Sequence, residues 1–228
     1  MRTSRVDEGE SVAFVMSDVD PELHDTVLAL AFRPRDDGFM QIYPSDHPQI
    51  DRIYTNFARH AEALVLQKAR QRPIPWQDAL RLCCESLKNE SIDWWLAGSA
   101  ALAVRGLPVR PGDLDIIVSG TDAPRLESLM LDHLIEPPRP GFISDTFTRS
   151  FPGACLEWCA GVDERADLPL VGDVGPTAVR RLDTIVWNGY PIRIPPLDLQ
   201  LMVNLRRGYD DRVRLIRDAL AAVDAYPG

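Results

Sequence analysis

Two aspartates separated by one apolar residue, Asp113-Leu114-Asp115, open the apolar run Ile116-Ile117-Val118. Side chains two apart on an extended segment project to the same face, so both carboxylates sit together while Leu114 points the other way. Two adjacent carboxylates repel and the second is hard to ionise; a cation between them reverses that cost. A hydrophobic strand that begins in this way presents a divalent-metal site at its end. Just upstream, Asp93–Leu96 reads as a strand ending at Ala97-Gly98-Ser99, and Ala100–Arg105 as a short helix closed by Gly106. A glycine ahead of a helix start lets an anion approach free backbone N–H groups, and Ser99 adds a hydroxyl. A phosphate cradle and a carboxylate pair on adjacent elements point to a metal-bound nucleoside triphosphate.

A third acid stands further along, in Ala154-Cys155-Leu156-Glu157-Trp158-Cys159. The segment is apolar except for Glu157, as expected of a buried strand with one functional position. Asp is depleted in strands and an unpaired buried carboxylate is costly, so Asp115 and Glu157 both need a partner.

In this order, Gly98-Ser99, Asp113-Leu114-Asp115 and Glu157 resemble the polymerase-β-like nucleotidyltransferase superfamily. Its pattern is a hydrophobic residue, Gly and Gly or Ser, then Asp-hydrophobic-acid, then an acid on a later strand. The resemblance covers about residues 74–228. It is closest to small bacterial members, such as the antibiotic nucleotidyltransferases and the abortive-infection-type nucleotidyltransferase toxins. It implies an α/β (α+β) fold, a mixed β-sheet flanked by helices. It also implies in-line attack of an acceptor hydroxyl on the α-phosphate of a triphosphate, ATP among the candidates, with pyrophosphate leaving. Two magnesium ions, or manganese in their place, would be bridged by Asp113 and Asp115, with Glu157 on the acceptor side. Gly98 and Ser99 would hold the outer phosphates. Arg110, just before the Asp pair, would meet the triphosphate. The late-helix Lys of many relatives falls here at Val203 or Asn204, and Arg206 or Arg207 would substitute. The acceptor stays open between a small hydroxylated molecule, a protein side chain and an RNA end. A net charge of −9 disfavours nucleic acid. The alternative is a non-catalytic partner or regulatory module of a toxin–antitoxin or defence system.

With 45% apolar and 26% charged residues the chain has the balance of a globular protein, and 228 residues suffice for one good core or a domain with an appendage. No apolar run reaches membrane-spanning length, and Met1–Arg5 lacks a signal-peptide core. Four cysteines make no disulfide framework, so free thiols in a cytoplasmic protein are expected. The four histidines are scattered, with no zinc spacing.

Residues 1–10 read as polar and loose, and Ser11–Met16 and Thr26–Phe32 as strands. Arg35-Asp36-Asp37-Gly38 is a hairpin turn before a strand at Phe39–Tyr43. Helical spacing of Ile50, Ile53, Tyr54, Phe57, Ala61, Leu64 and Val65 predicts a helix capped by Ser45 or Asp46 and running to Lys68. Gln71–Pro75 marks a boundary between an N-terminal strand-and-helix extension (1–73) and the motif-bearing domain (74–228). The extension is expected to pack or to form a homodimer surface, with an acceptor-binding module as the further alternative. Later elements are a helix over Trp76–Lys88, a helix from Thr121 or Asp122 to Leu134, and strands at Ile143–Ser150 and Ala154–Ala160. A long polar loop, Ala160–Pro176, follows. The chain closes with an Asn188-Gly189 hairpin and helices Leu197–Leu205 and Asp210–Val223.

Overall fold

The computed structural model describes residues 1–225; the last three residues of the 74–228 stretch lie outside that description. Strands β1 (Arg2–Glu8) and β2 (Ser11–Ser17) are followed by helix α1 (His24–Ala29) and by strands β3 (Arg33–Arg35) and β4 (Gly38–Pro44). They form an antiparallel sheet in the order β1-β2-β4-β3. The apolar run of β2 is buried throughout: Val12 to Met16 are at most 2% exposed. Phe14 meets Tyr43, Tyr54 and Phe57 with ring centroids 5.0 to 5.2 Å apart.

Two N-terminal expectations are corrected. Residues 2–8 are not loose: they pair along their whole length with β2. Their charged side chains suit an edge strand, where charge deters further pairing. Thr26–Phe32 is not a strand. Asp20 accepts from the backbone N–H of Glu22, Pro21 starts a turn, and α1 continues from it. Leu23, Val27 and Leu30 then fall on one buried helical face, and Ala31, at φ +68°, ends it.

The rest of the chain runs α2 (Ile50–Lys68), α3 (Trp76–Leu87), β5 (Trp94–Ala97), α4 (Gly98–Val104) and β6 (Leu114–Val118). It continues as α5 (Ala123–Met130), β7 (Ser144–Ser150), β8 (Leu156–Val162), α6 (Pro176–Val179), β9 (Asp183–Trp187) and β10 (Tyr190–Ile194). Helices α7 (Leu197–Arg206) and α8 (Asp210–Ala225) follow. α2 starts later than its polar caps suggest, since Ser45 donates its hydroxyl to the Gly9 carbonyl instead. α5 stops at Met130, short of Leu134, because Leu134 bridges to Ser150. The carboxylate of Asp122 accepts from the N–H of Asp93 rather than capping α5.

The second sheet has the order β5-β6-β8-β7. β6 and β8 are parallel, and the two outer pairings are antiparallel, so this is the mixed sheet expected of the fold class. β9 and β10 form the hairpin announced by Asn188-Gly189. One buried cluster runs from Val12, Phe14 and Phe57 through Leu80 and Leu96 to Ile116, Trp158 and Ile194. Gln71–Pro75 separates α2 from α3, while the apolar core is continuous across it. All four cysteines are free thiols, and among the described residues no helix is long and apolar enough to cross a membrane.

Candidate active site

Strand register builds the site. Parallel pairing of β6 with β8 sets Asp115 opposite Glu157, and antiparallel pairing of β5 with β6 sets Ala97 opposite Asp115. Gly98 follows directly, and Asp113 lies one residue ahead of β6. Asp113, Asp115, Glu157, Gly98 and Ser99 therefore line one cleft of about 400 Å³. Gly98 holds φ +62°, and a Cβ there would lie 2.0 Å from Oδ2 of Asp115. Only glycine lets the turn lie against that carboxylate. Gln200 of α7, fully buried, pins the turn by donating from Nε2 to the Gly98 carbonyl at 3.1 Å.

The cleft also holds four basic side chains: Lys68 and Arg70 from the end of α2, Arg207 just after α7, and Arg212, whose guanidinium lies 4.7 Å from the ring centre of Tyr209. Burial, then the charges of Asp113, Glu157 and Asp173, push the Asp115 carboxyl up to about 8, with Arg207 acting against them. Against the cost of its own burial, Lys68 is held above the ordinary lysine value by Asp113, whose Oδ2 lies 3.1 Å from Nζ. Like-charge crowding on oxygen donors is what a hard divalent cation relieves, so the donor set suits magnesium. Among the described residues no group of three or more His, Cys, Asp or Glu side chains is arranged to hold a metal ion. The three acids share a cleft without forming a closed cage, because Asp113 turns to Lys68 and Glu157 turns to Arg149.

No protein-family model matches this sequence, and no curated protein is significantly similar to it. The backbone is similar to a solved protein from Thermotoga maritima proposed to be a nucleotidyltransferase: TM-score 0.50 at 21% identity, over 67% of this chain and 98% of that one. The chain has the nucleotidyltransferase fold. An antigenic nucleotidyltransferase-like protein from Paracoccidioides brasiliensis is also similar, with TM-score 0.41 and 15% identity over 64% of this chain and 78% of that one.

Within this nucleotidyltransferase fold the basic residues are placed differently from the sequence expectation. Arg110 is exposed and outside the cleft lining; only its carbonyl takes part, accepting from Arg70 at 3.3 Å. Arg206 is likewise outside the lining, since it donates to the carbonyls of Leu170 and Val171 at 2.7 and 3.0 Å and fastens the long loop. Arg207 does line the cleft. Val203 and Asn204, the positions of the missing lysine, are buried. Lys68 brings an ammonium into the cleft from α2.

Arg149 is the second group that sequence alone does not assign. Its Nε donates to Glu157 Oε1 at 2.8 Å, and its Nη1 donates to Glu136 Oε1 at 2.6 Å and to the Leu30 carbonyl at 2.9 Å. Arg149 is 7% exposed and Glu136 1%. Despite burial, these two carboxylates hold the guanidinium firmly protonated. Glu157 thus leans on a buried ion network anchored to the N-terminal segment. A lone Arg in the β7 sequence is the only advance signal, and it acquires meaning through the pairing of Arg149 with Glu157. Asp173, from the long loop, is also buried; burial raises its carboxyl, opposed by Arg207.

Proposed function

We propose that this chain is a magnesium-dependent nucleotidyltransferase that moves a nucleoside monophosphate from a nucleoside triphosphate to an acceptor hydroxyl. The observation that carries this is the cross-strand pair Asp115–Glu157 beside Gly98-Ser99, with Asp113 two residues before Asp115, in one polar cleft. Asp113 and Asp115 would hold the metal, two ions in the full site, with Glu157 toward the acceptor. Bound magnesium, or manganese in its place, supplies positive charge to the triphosphate and to the departing pyrophosphate.

The chain's own groups divide the remaining work. Ser99 offers a hydroxyl to the phosphates, and Arg207, Arg212 and Arg70 supply cationic donors at the cleft wall. The acceptor oxygen forms a bond to the α-phosphorus as the bond from that phosphorus to the bridging oxygen of pyrophosphate breaks. Pyrophosphate leaves with the electron pair. The hydroxyl proton passes to the Glu157 oxygen that Arg149 does not occupy, or to water. Positioning and charge neutralisation are the main requirements of such a transfer.

The test is incubation of the protein with each labelled nucleoside triphosphate, magnesium and a cell lysate. Label is expected to move to a discrete acceptor with wild type and to stay on the nucleotide with Asp115→Asn. Absence of transfer, together with absence of any nucleotide-induced thermal shift, would instead favour a non-catalytic partner.

A further inference from the structure

Of the four basic side chains that line the acidic cleft, Lys68 is the one in an ion pair among the described residues: its Nζ lies 3.1 Å from Asp113 Oδ2. The end of α2 is built to hold it there. Gln67, 7% exposed, donates to the Gly153 carbonyl at 2.9 Å, ahead of the strand that carries Glu157. Arg70 leaves the helix at φ +61° and donates to the Pro111 and Arg110 carbonyls at 3.1 and 3.3 Å, just before Asp113. The backbone on either side of Lys68 is thus fastened to both segments that bear the outer acids.

The cations on those two acids are held very differently. Arg149 is buried and donates to Glu157, to Glu136 and to the Leu30 carbonyl. The Lys68 side chain is 32% exposed, and Asp113 is the one partner of its ammonium among the described residues. Lysine is a point charge on a flexible four-carbon stem. Its ammonium can leave Asp113 while α2 stays fixed, whereas Arg149 cannot leave Glu157 without breaking a buried network. Magnesium bonds a carboxylate oxygen at about 2.1 Å and keeps several waters. An ammonium 3.1 Å from the same oxygen stands where such an ion and its waters go, and the two charges repel.

We propose that Lys68 is a tethered cation that competes with the divalent metal for Asp113 and, once displaced, binds the triphosphate; this rests on the nucleotidyltransferase reading. Against metal alone, the ammonium has only water to move to. Against metal that arrives with a triphosphate, it moves to a phosphate oxygen and keeps an anionic partner. Metal and nucleotide therefore bind together rather than singly. The lysine missing at Val203 and Asn204 is supplied from α2, ahead of residue 74.

The test reads binding to the full chain rather than transfer. Manganese alone is titrated by electron paramagnetic resonance, and magnesium with each of the four nucleoside triphosphates by calorimetry. Lys68→Met keeps an apolar stem and removes the charge. It should bind manganese alone at least about fivefold more tightly than wild type, because a neighbouring positive charge is gone. It should bind magnesium–triphosphate at least about tenfold more weakly, as loss of a charged hydrogen bond does. A merely structural lysine would move both affinities the same way or neither. Arg81→Met, the same charge change on exposed α3, should leave both unaltered. The proposal is overturned if manganese binding in Lys68→Met is unchanged or weaker, if Arg81→Met reproduces the gain, or if triphosphate affinity survives the loss of Lys68. Tighter manganese binding in Lys68→Met, with no triphosphate bound even by wild type, overturns the transferase reading instead and leaves the competition for Asp113 standing.

Discussion

At the scale of single residues, the closest constraint in the cleft is between Gly98 and Asp115. Alanine at position 98 would put Cβ 2.0 Å from Asp115 Oδ2 and force φ +62° on a residue with a side chain. Gly98→Ala should therefore cost about 1–2 kcal/mol from the backbone alone and displace the carboxylate. Thermal denaturation with and without magnesium–triphosphate measures both; an undiminished nucleotide-induced shift in the variant contradicts the site. The three acids should also separate by role. Glu157→Gln should retain most triphosphate affinity and lose most of the transfer rate, because its charge matters mainly in the transition state. Asp113→Asn should lose both, and equal loss of binding in the two variants would rule out this division. Elsewhere, His60 and His133 lie below the ordinary value of 6.5 in the folded chain, so the unfolded chain binds their protons more readily. Their contribution is complete above that value and is lost as pH falls through it. Asp115, whose carboxyl is pushed up to about 8, acts in the opposite sense, so the histidine part is read by comparison: between pH 7 and pH 5 the urea midpoint of wild type should move downward relative to that of His60→Phe, which keeps the ring stack on Phe151.

At the scale of elements, the buried network Glu136–Arg149–Glu157 joins β7 and β8 to the Leu30 carbonyl at the end of α1. Arg149→Met would leave Glu136 buried at 1% exposure without its main partner. Breaking a buried pair from one side costs about 3–5 kcal/mol, which urea unfolding would register. The double variant Arg149→Met, Glu136→Met removes the stranded charge and should recover much of the stability. It should not recover transfer, because Glu157 still lacks its anchor. Recovery of both would make Arg149 a packing residue only. The same network explains why the α1 segment is a helix although its apolar run reads as a strand. Leu30 must end a turn with its carbonyl free toward Arg149, and helical spacing buries Leu23, Val27 and Leu30 together.

At the scale of the whole molecule, the N-terminal sheet and the mixed sheet share one apolar core. Lys68 and Arg70, contributed by residues before position 74, line the acidic cleft. Residues 74–228 expressed alone should lose the cooperative thermal transition, since the cluster around Leu80, Leu96 and Trp158 would be opened to water. A sharp melt from that fragment, followed by circular dichroism, would show the extension to be dispensable for folding.

The sequence by itself determined the parts that depend on local spacing. Asp113 and Asp115 share a face because a strand has a period of two, and the Asn188-Gly189 hairpin follows from turn chemistry. The amphipathic stripes of α2 and α3 were legible for the same reason. Only the tertiary structure decided which charged side chains meet across the chain. Arg149 opposes Glu157 through strand register, and Lys68 reaches Asp113 across 45 residues of sequence. Arg206 is drawn away from the cleft by its bonds to the Leu170 and Val171 carbonyls, and Arg110, next to the motif in sequence, is exposed outside the cleft lining. Ion pairs have no periodicity of their own, so their partners are fixed by packing between distant elements.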